Sequence, residues 1–293
     1  MAVWKAVLLG LIQGLTEFLP VSSSGHLVLI KGVLGIDMQS GGMFFYVMLH
    51  LGTLLAIFVA FWNDIWHMIK EGFALLGDCF VNLGRFAQNC TGAGKRYRHV
   101  VRSSYRKFVV LIIVSTIPTG ILGILLSDVV ELANGMMIVP SICLFITALF
   151  LFVADRVEDQ NKKPREIGYG SAAFVGMTQG LATLPGISRS GTTITACLLC
   201  GFDRKFAVKY SFIMSIPAVL GAVVLELKDL SGLSLAPGMI VSCVIATAVA
   251  AVSGYLAIRF MLALIRGRKY HYFAIYCILA GCLGLGFSLW SAR

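Results

Sequence analysis

The chain has 293 residues, of which 58% are hydrophobic and only 13% charged, with a mean hydropathy of +0.87. Soluble domains carry roughly 25% charged residues to cover a water-facing surface, so half that supply excludes a cytosolic globular fold, a disordered chain and a collagen-like repeat. Lys and Arg number 24 against 14 Asp and Glu, a formal charge of +10. These cations fall between apolar runs, where they set topology and touch anionic membrane lipids, and no nucleic-acid partner is expected.

In chain order, the first apolar run, 2–19, carries a lone Lys5 and continues into Gln13 and Glu17 instead of a small-residue cleavage site. It is expected to be retained, not removed as a signal peptide. A short run, 27–36, follows a Ser-rich turn, and 43–62, 108–126 and 137–154 then approach the ~20 residues of a spanning helix. Two more short runs, 171–184 and 192–202, flank a Gly/Pro/Ser turn, and 210–227, 237–258 and 272–290 complete six candidate spans. The short runs read as helical hairpins that enter and turn back, which survive at membrane depth only where protein or a water-filled cavity covers them. The expected fold is an all-α polytopic membrane protein with about six spanning helices and two re-entrant helical hairpins. Trp62, Trp66 and Trp290 at span ends are expected to anchor at the interface.

Four segments are rich in Lys and Arg: 63–107, 155–166, 202–209 and 259–269, whereas 127–136 offers only Asp128 and Glu131 and 228–236 a single Lys228. The positive-inside rule puts the four basic segments in the cytoplasm and the two poor ones outside. The eight cysteines make no disulfide or zinc framework, because most lie inside apolar runs and Cys197-x-x-Cys200 lacks a second pair. They are expected to pack.

Two segments are alike at an offset of 166 residues: Gln13-Gly14-Leu15 through Ser22-Ser23-Ser24-Gly25-His26, and Gln179-Gly180-Leu181 through Ser188-Arg189-Ser190-Gly191-Thr192. At the same offset the span 43–62 falls on 209–228 in the opposite direction. The chain therefore reads as one membrane domain, 1–293, built from inverted repeats 1–165 and 166–293, with 63–107 a basic loop inserted in the first. Sites in such architectures form near the midplane, where broken helices meet.

Ionisable groups at membrane depth are site candidates by default, and Glu17, His26 and Arg189 stand out. Gln13 and Glu17 share one helix face a turn apart, and two oxygens so placed suit a hard divalent cation, Mg²⁺ or Ca²⁺, that completes its shell from phosphate and water. Glu17 is alternatively a base, or merely pairs with Arg189. Arg189 binds phosphate bidentately, and the hydroxyls of Ser188, Ser190 and Thr193, with helix N-terminal N–H groups, complete an anion cradle. Ser22, Ser23 and Ser24 supply the matching loop. Ser23 with His26 fits a nucleophile and its proton partner, while His26 itself or a water activated by Glu17 are the other candidates. His50, in an apolar run, is expected to be a packing residue, and Glu226 at a span end is assigned no chemistry.

At these loops the chain resembles the undecaprenyl-diphosphatase family, the bacitracin-resistance type of integral membrane phosphatase. The match is Gln13-x-x-x-Glu17 with Pro20-Val21-Ser22-Ser23-Ser24-Gly25-His26, followed by Pro185-Gly186-x-Ser188-Arg189-Ser190-x-x-Thr193. The family pattern permits Glu or Gln at its first position; Gln13 removes one charge and leaves Glu17 more of the role. The resemblance implies dephosphorylation of undecaprenyl diphosphate, with a divalent cation, at the outer face of the bacterial plasma membrane. It marks Gln13, Glu17, Ser23, His26, Ser188, Arg189 and Thr193, and leaves a homo-oligomer open. The competing reading is a polyprenyl-phosphate flippase or anion transporter using the same midplane loops.

Overall fold

The computed structural model describes residues 2–35, 42–228, 237–265 and 269–291, and among them no strand forms. The charge-poor connection 229–236, the side chain of Glu226, and Arg266 and Arg268 of the last basic segment lie outside this description.

Among the described residues, six helices are long and apolar enough to cross a membrane: α3 (Gly42–Ala60), α5 (Ser104–Leu125), α7 (Ile138–Arg156), α10 (Arg204–Lys228), α11 (Pro237–Leu264) and α12 (Tyr270–Ser291). They coincide with the six expected spans. Four shorter helices, α1 (Val3–Phe18), α2 (Ser23–Leu34), α8 (Tyr169–Leu181) and α9 (Arg189–Leu199), pack as two hairpins, α1 on α2 and α8 on α9. The remaining helices, α4 (Trp62–Cys90) and α6 (Ser127–Asn134), fall where the sequence suggested loops. The segment 63–107 is thus a 29-residue helix with an extended return, not an open loop.

The hairpins are set deep in the bundle, because glycines let backbones touch. Gly10 and Gly14 of α1 lie against α11: a methyl group at Gly14 would sit 2.0 Å from Ser253 Oγ and 2.5 Å from the Ala250 carbonyl. Exactly one repeat later, Gly176 and Gly180 of α8 lie against α5, where a methyl at Gly176 would meet the Ser115 carbonyl at 2.1 Å. Small-xxx-small spacing of this kind is the usual device for close helix approach in lipid, where apolar area alone drives little association. The pairings exchange between halves: α1 packs on α11 and α8 on α5, α3 packs on α11 and α10 on α5, and α7 packs on α12.

Buried hydroxyls hold the helices in register. The Ser115 hydroxyl donates to the Ala172 carbonyl at 2.7 Å and the Tyr210 hydroxyl donates to the Leu111 carbonyl at 2.9 Å. The cysteines are all unbonded to one another, and Cys197 packs in the main core beside Tyr210 and Phe212. At the basic end, Arg204 binds Asp159 and the Val157 carbonyl, and Asp155 accepts from the first two N–H groups of α12. A carboxylate at a helix N-terminus satisfies donors that the helix cannot.

Candidate active site

Both hairpin turns end in a serine that caps the following helix. Ser22 caps α2 by accepting from the Gly25 N–H at 3.3 Å, and Ser188 caps α9 by accepting from the Gly191 N–H at 3.1 Å. Capping of this kind supplies partners to otherwise orphaned N–H groups. Ser22 does so with φ 70°, the only non-glycine residue with positive φ among those described. Such a backbone costs of order 1–3 kcal/mol and persists where its surroundings impose it, commonly at functional sites. The two turns touch: a methyl at Gly25 would lie 2.9 Å from the Gly186 Cα, and Ser190 Oγ donates to the Leu19 carbonyl at 3.3 Å.

Where the turns meet, Ser23 and Arg189 are the first residues of α2 and α9, and both reach Glu17 from α1. The Ser23 hydroxyl donates to Glu17 Oε2 at 2.5 Å, Arg189 Nη2 donates to Oε1, and Gln13 Nε2 donates to Oε2 at 2.9 Å. Arg189 Nη1 is buried with no partner. A cavity of about 330 Å³ opens on this cluster, lined by Glu17, Ser22, Ser23, Ser24, Ser188, Arg189 and Ser190 and walled by Val130 of α6 and Val219 and Val223 of α10. A pair of ionised groups in such a place is costly unless hydrogen bonds complete it; here Ser23 and Gln13 do so. An unused guanidinium N–H beside a polar cavity is a donor free for an incoming anion.

Three of the expected site residues point elsewhere in this arrangement. His26 does not reach the Ser23 hydroxyl or line the cavity. Its Nδ1 donates to the Ser22 carbonyl at 2.7 Å, which leaves Nε2 to accept from the Tyr276 hydroxyl at 2.8 Å, with the two rings stacked. The nearest proton acceptor to Ser23 is Glu17. Thr193 faces away from the cradle: one turn beyond Arg189, its hydroxyl donates to the Arg189 carbonyl at 2.8 Å and lies 2.6 Å from Ser211 Oγ of α10. Gln13 turns its amide nitrogen, not its oxygen, toward Glu17.

His50, expected to be a packing residue, lines the cavity with its Nδ1 3.3 Å from Gln13 Nε2. The rule that singled out Glu17, an ionisable group in an apolar span, finds His50 as well. Gln179, at the position repeating Gln13, also lines the cavity and bonds Thr119 at 3.3 Å.

No group of three or more His, Cys, Asp or Glu gathers to hold a metal among the described residues. The donor set nevertheless fits a hard cation. Gln13 Oε1 is buried without a partner, and turning the amide over exchanges Nε2 for that oxygen beside Glu17 Oε2, which gives the one or two protein oxygens that a divalent ion of this type takes, the rest coming from phosphate and water.

The family described as Bacitracin resistance protein BacA matches residues 6–283. A protein of Methanosphaera stadtmanae named Undecaprenyl-diphosphatase is 39% identical over 279 residues, covering 95% of each chain. Proteins of the same name from Alkaliphilus metalliredigens and Halothermothrix orenii are each 38% identical, the first covering 99% of this chain and all of its own, the second 97% of both.

Proposed function

The chain belongs to the bacitracin resistance protein BacA family, and from that premise and the geometry of the two turns we propose that it hydrolyses undecaprenyl diphosphate to undecaprenyl phosphate and inorganic phosphate. The observation that carries the mechanism is the single carboxylate of Glu17 holding both the Ser23 hydroxyl and Arg189 at the floor of one cavity.

The diphosphate head enters the cavity while the polyprenyl tail stays along the apolar wall of Val130, Val219 and Val223. Arg189 holds the head through Nη1, and the hydroxyls of Ser24, Ser188 and Ser190 complete the cradle. Glu17 takes the proton as Ser23 Oγ attacks the terminal phosphorus. The P–O bond to the bridging oxygen breaks, undecaprenyl phosphate departs, and a phosphoserine remains. Glu17 passes that proton to the departing undecaprenyl phosphate, then takes one from water as the water attacks the same phosphorus, and returns it to Ser23 Oγ as inorganic phosphate is released. Most of the rate in phosphoryl transfer comes from positioning and from charges aimed at the transferred group, and Arg189 is the fixed cation here. With the Gln13 amide turned over, its Oε1 and Glu17 would hold a divalent cation, Mg²⁺ or Ca²⁺, whose charge would offset that of the phosphate oxygens.

The same reading treats the two hairpins as inverted repeats, supported by the exchange of α1–α11 for α8–α5 and of α3–α11 for α10–α5. It opens the site to the outer face of the bacterial plasma membrane. The cavity is walled by α6 in the charge-poor segment, while Arg204, Lys162 and Lys209 stand with the basic connections. Rapid acid quenching during turnover, followed by mass spectrometry, tests the covalent step. Phosphate on Ser23 is expected; phosphate on another residue, or none at saturating turnover, removes Ser23 from that role.

A further inference from the structure

Helix α4 carries two opposite faces that the catalytic reading does not use. On one, Trp66, Ile69, Phe73, Leu76, Phe80 and Leu83 recur at alternating steps of three and four, and all are exposed, Phe73 at 73% and Phe80 at 71%. On the other, polar side chains fasten the extended return segment. Asn82 both donates to and accepts from the backbone of Arg98, at 2.8 and 2.7 Å, and Asn89 does the same with Lys95, at 2.8 and 2.6 Å. Arg85 donates to the Arg96 carbonyl, and Asp78 is shared by Arg98, Arg102 and Arg106. The polar face is therefore filled by the chain itself, and the apolar stripe is left facing outward by construction.

The contacts of α4 with α5 fix how the helix lies. Asp64 accepts from the Tyr105 hydroxyl, Glu71 from Ser103 and Arg106, and a methyl at Gly72 would be 4.0 Å from Val109. From Asp64 to Asp78 α4 advances roughly 21 Å, yet its partners on the α5 side stay between positions 103 and 109, about 9 Å of helix rise. The helix therefore runs across the end of the bundle instead of away from it. Its stripe continues the exposed apolar surface of α3, from Leu55 and Val59 through Trp62, which stacks on Trp66.

We infer that α4 is an interfacial helix whose Trp66–Leu83 stripe is embedded in the membrane leaflet at the basic end of the bundle, with the clasped return segment presenting cations to anionic lipid headgroups. The charge supports this occupant: the segment 62–107 carries eight Lys and Arg against three acids, Asp64, Glu71 and Asp78, each already engaged by a donor from the protein. Lys95 and Arg96 project from the return segment as exposed residues. Basic segments near such a surface gain attraction from anionic lipid, and aromatic residues opposite a polar face are the composition of a helix lying in the interface. The alternating spacing also resembles a coiled-coil seam, but a second copy is disfavoured. The flanking positions Lys70, Gly72, Gly77, Cys79 and Gly84 lack the opposite charges that pair such helices. This inference stands on α4 alone and is independent of the catalytic reading.

Site-directed spin labelling of the full-length protein in vesicles tests it. The exposed Cys79, Cys90 and Cys282 are first replaced by Ala. Single cysteines are then introduced as Phe73→Cys, Leu76→Cys, Phe80→Cys and Leu83→Cys, with Ala74→Cys and Val81→Cys on the flank. In vesicles containing phosphatidylglycerol, the four stripe labels should collide with oxygen more than with a water-soluble nickel complex, at a depth of roughly 5–10 Å, and the flank labels should show the reverse. In phosphatidylcholine alone the stripe should shift toward the nickel complex. Nickel access at every position would overturn the inference, as would stripe labels shielded from both reagents and broadened by a neighbouring copy. Equal depth in both lipids would overturn its electrostatic half.

Discussion

Ser23 and Arg189 occupy the same place in the two halves of the chain, 166 residues apart, as the first residues of α2 and α9, and each donates to a different oxygen of Glu17. Each lies beside its capping serine, Ser22 or Ser188, so the duplicated Ser-x-x-Gly cap fixes both donors. A repeated local structure has thus placed a hydroxyl and a guanidinium on one carboxylate.

Arg189 uses one nitrogen for Glu17 and keeps another unpartnered at the cavity. A lysine retains the positive charge and the pairing but has no second nitrogen held in a planar fork toward the cavity. Arg189→Lys should therefore lower kcat by about 10²–10³, the effect of losing one donor to developing transition-state charge, with the melting temperature unchanged. Phosphate-release kinetics beside thermal unfolding in detergent checks both halves, and an unaltered kcat would assign Arg189 to structure alone.

Ser23→Ala should abolish turnover and leave stability intact, because Glu17 keeps Arg189 and Gln13. His26→Ala should behave differently. The ring holds the Ser22 carbonyl in a strained turn and is itself held by Tyr276, so activity and melting temperature should fall together. Tyr276→Phe, which removes only the hydroxyl, should lie between wild type and His26→Ala in both measurements. Loss of activity in His26→Ala at full stability would return His26 to a direct chemical role.

Much of this was legible in the sequence for a simple reason: a span needs length and hydropathy, both of which are local. All six spans and the four short hairpin helices were placed to within a few residues, except for longer ends such as that of α10, whose N-terminus reaches back to Arg204. The residues of both turns were legible because hydroxyls and charges at membrane depth are conspicuous. Their directions were not. Whether His26 faces Ser23 or Tyr276, and whether Thr193 faces the cavity or Ser211, depends on helix rotation that spacing does not set. Helix α4 went unseen because its charge suggested a loop, although its three-four apolar spacing was present all along.

Gly14 and Gly176 test the packing of the hairpins. A methyl at either position meets a backbone carbonyl of the neighbouring helix, at 2.5 and 2.1 Å respectively. Gly14→Ala and Gly176→Ala should each destabilise by about 1–3 kcal/mol, the usual cost of overpacking, read as a lower melting temperature. Gly84→Ala, which meets nothing within 4 Å in the exposed interior of α4, should not lower it and should raise it slightly through helix propensity.

The clasp of α4 should loosen in acid. Hydrogen bonds from Arg106, then from Arg98, hold the Asp78 carboxyl below its ordinary range, and Arg106 does the same for Glu71. Groups with lowered folded-state values stabilise the clasp fully above the ordinary carboxylate range, and that contribution is lost as pH falls through the lowered values. Amide hydrogen exchange, corrected for its intrinsic pH dependence, should show the Lys95 and Arg98 N–H groups protected at neutral pH and deprotected as pH falls below the ordinary carboxylate range. Asp78→Asn should deprotect them already at neutral pH.

Glu17, which holds both Ser23 and Arg189, is the carboxylate we propose to serve phosphate transfer from a polyprenyl diphosphate. The most direct measurement is inorganic phosphate release from undecaprenyl diphosphate by purified wild type and Glu17→Gln, each assayed after chelation and after return of Mg²⁺ or Ca²⁺. Release is predicted from wild type only when the divalent ion is present, and from Glu17→Gln under neither condition. Undiminished release by Glu17→Gln, or by the chelated wild type, would contradict the account.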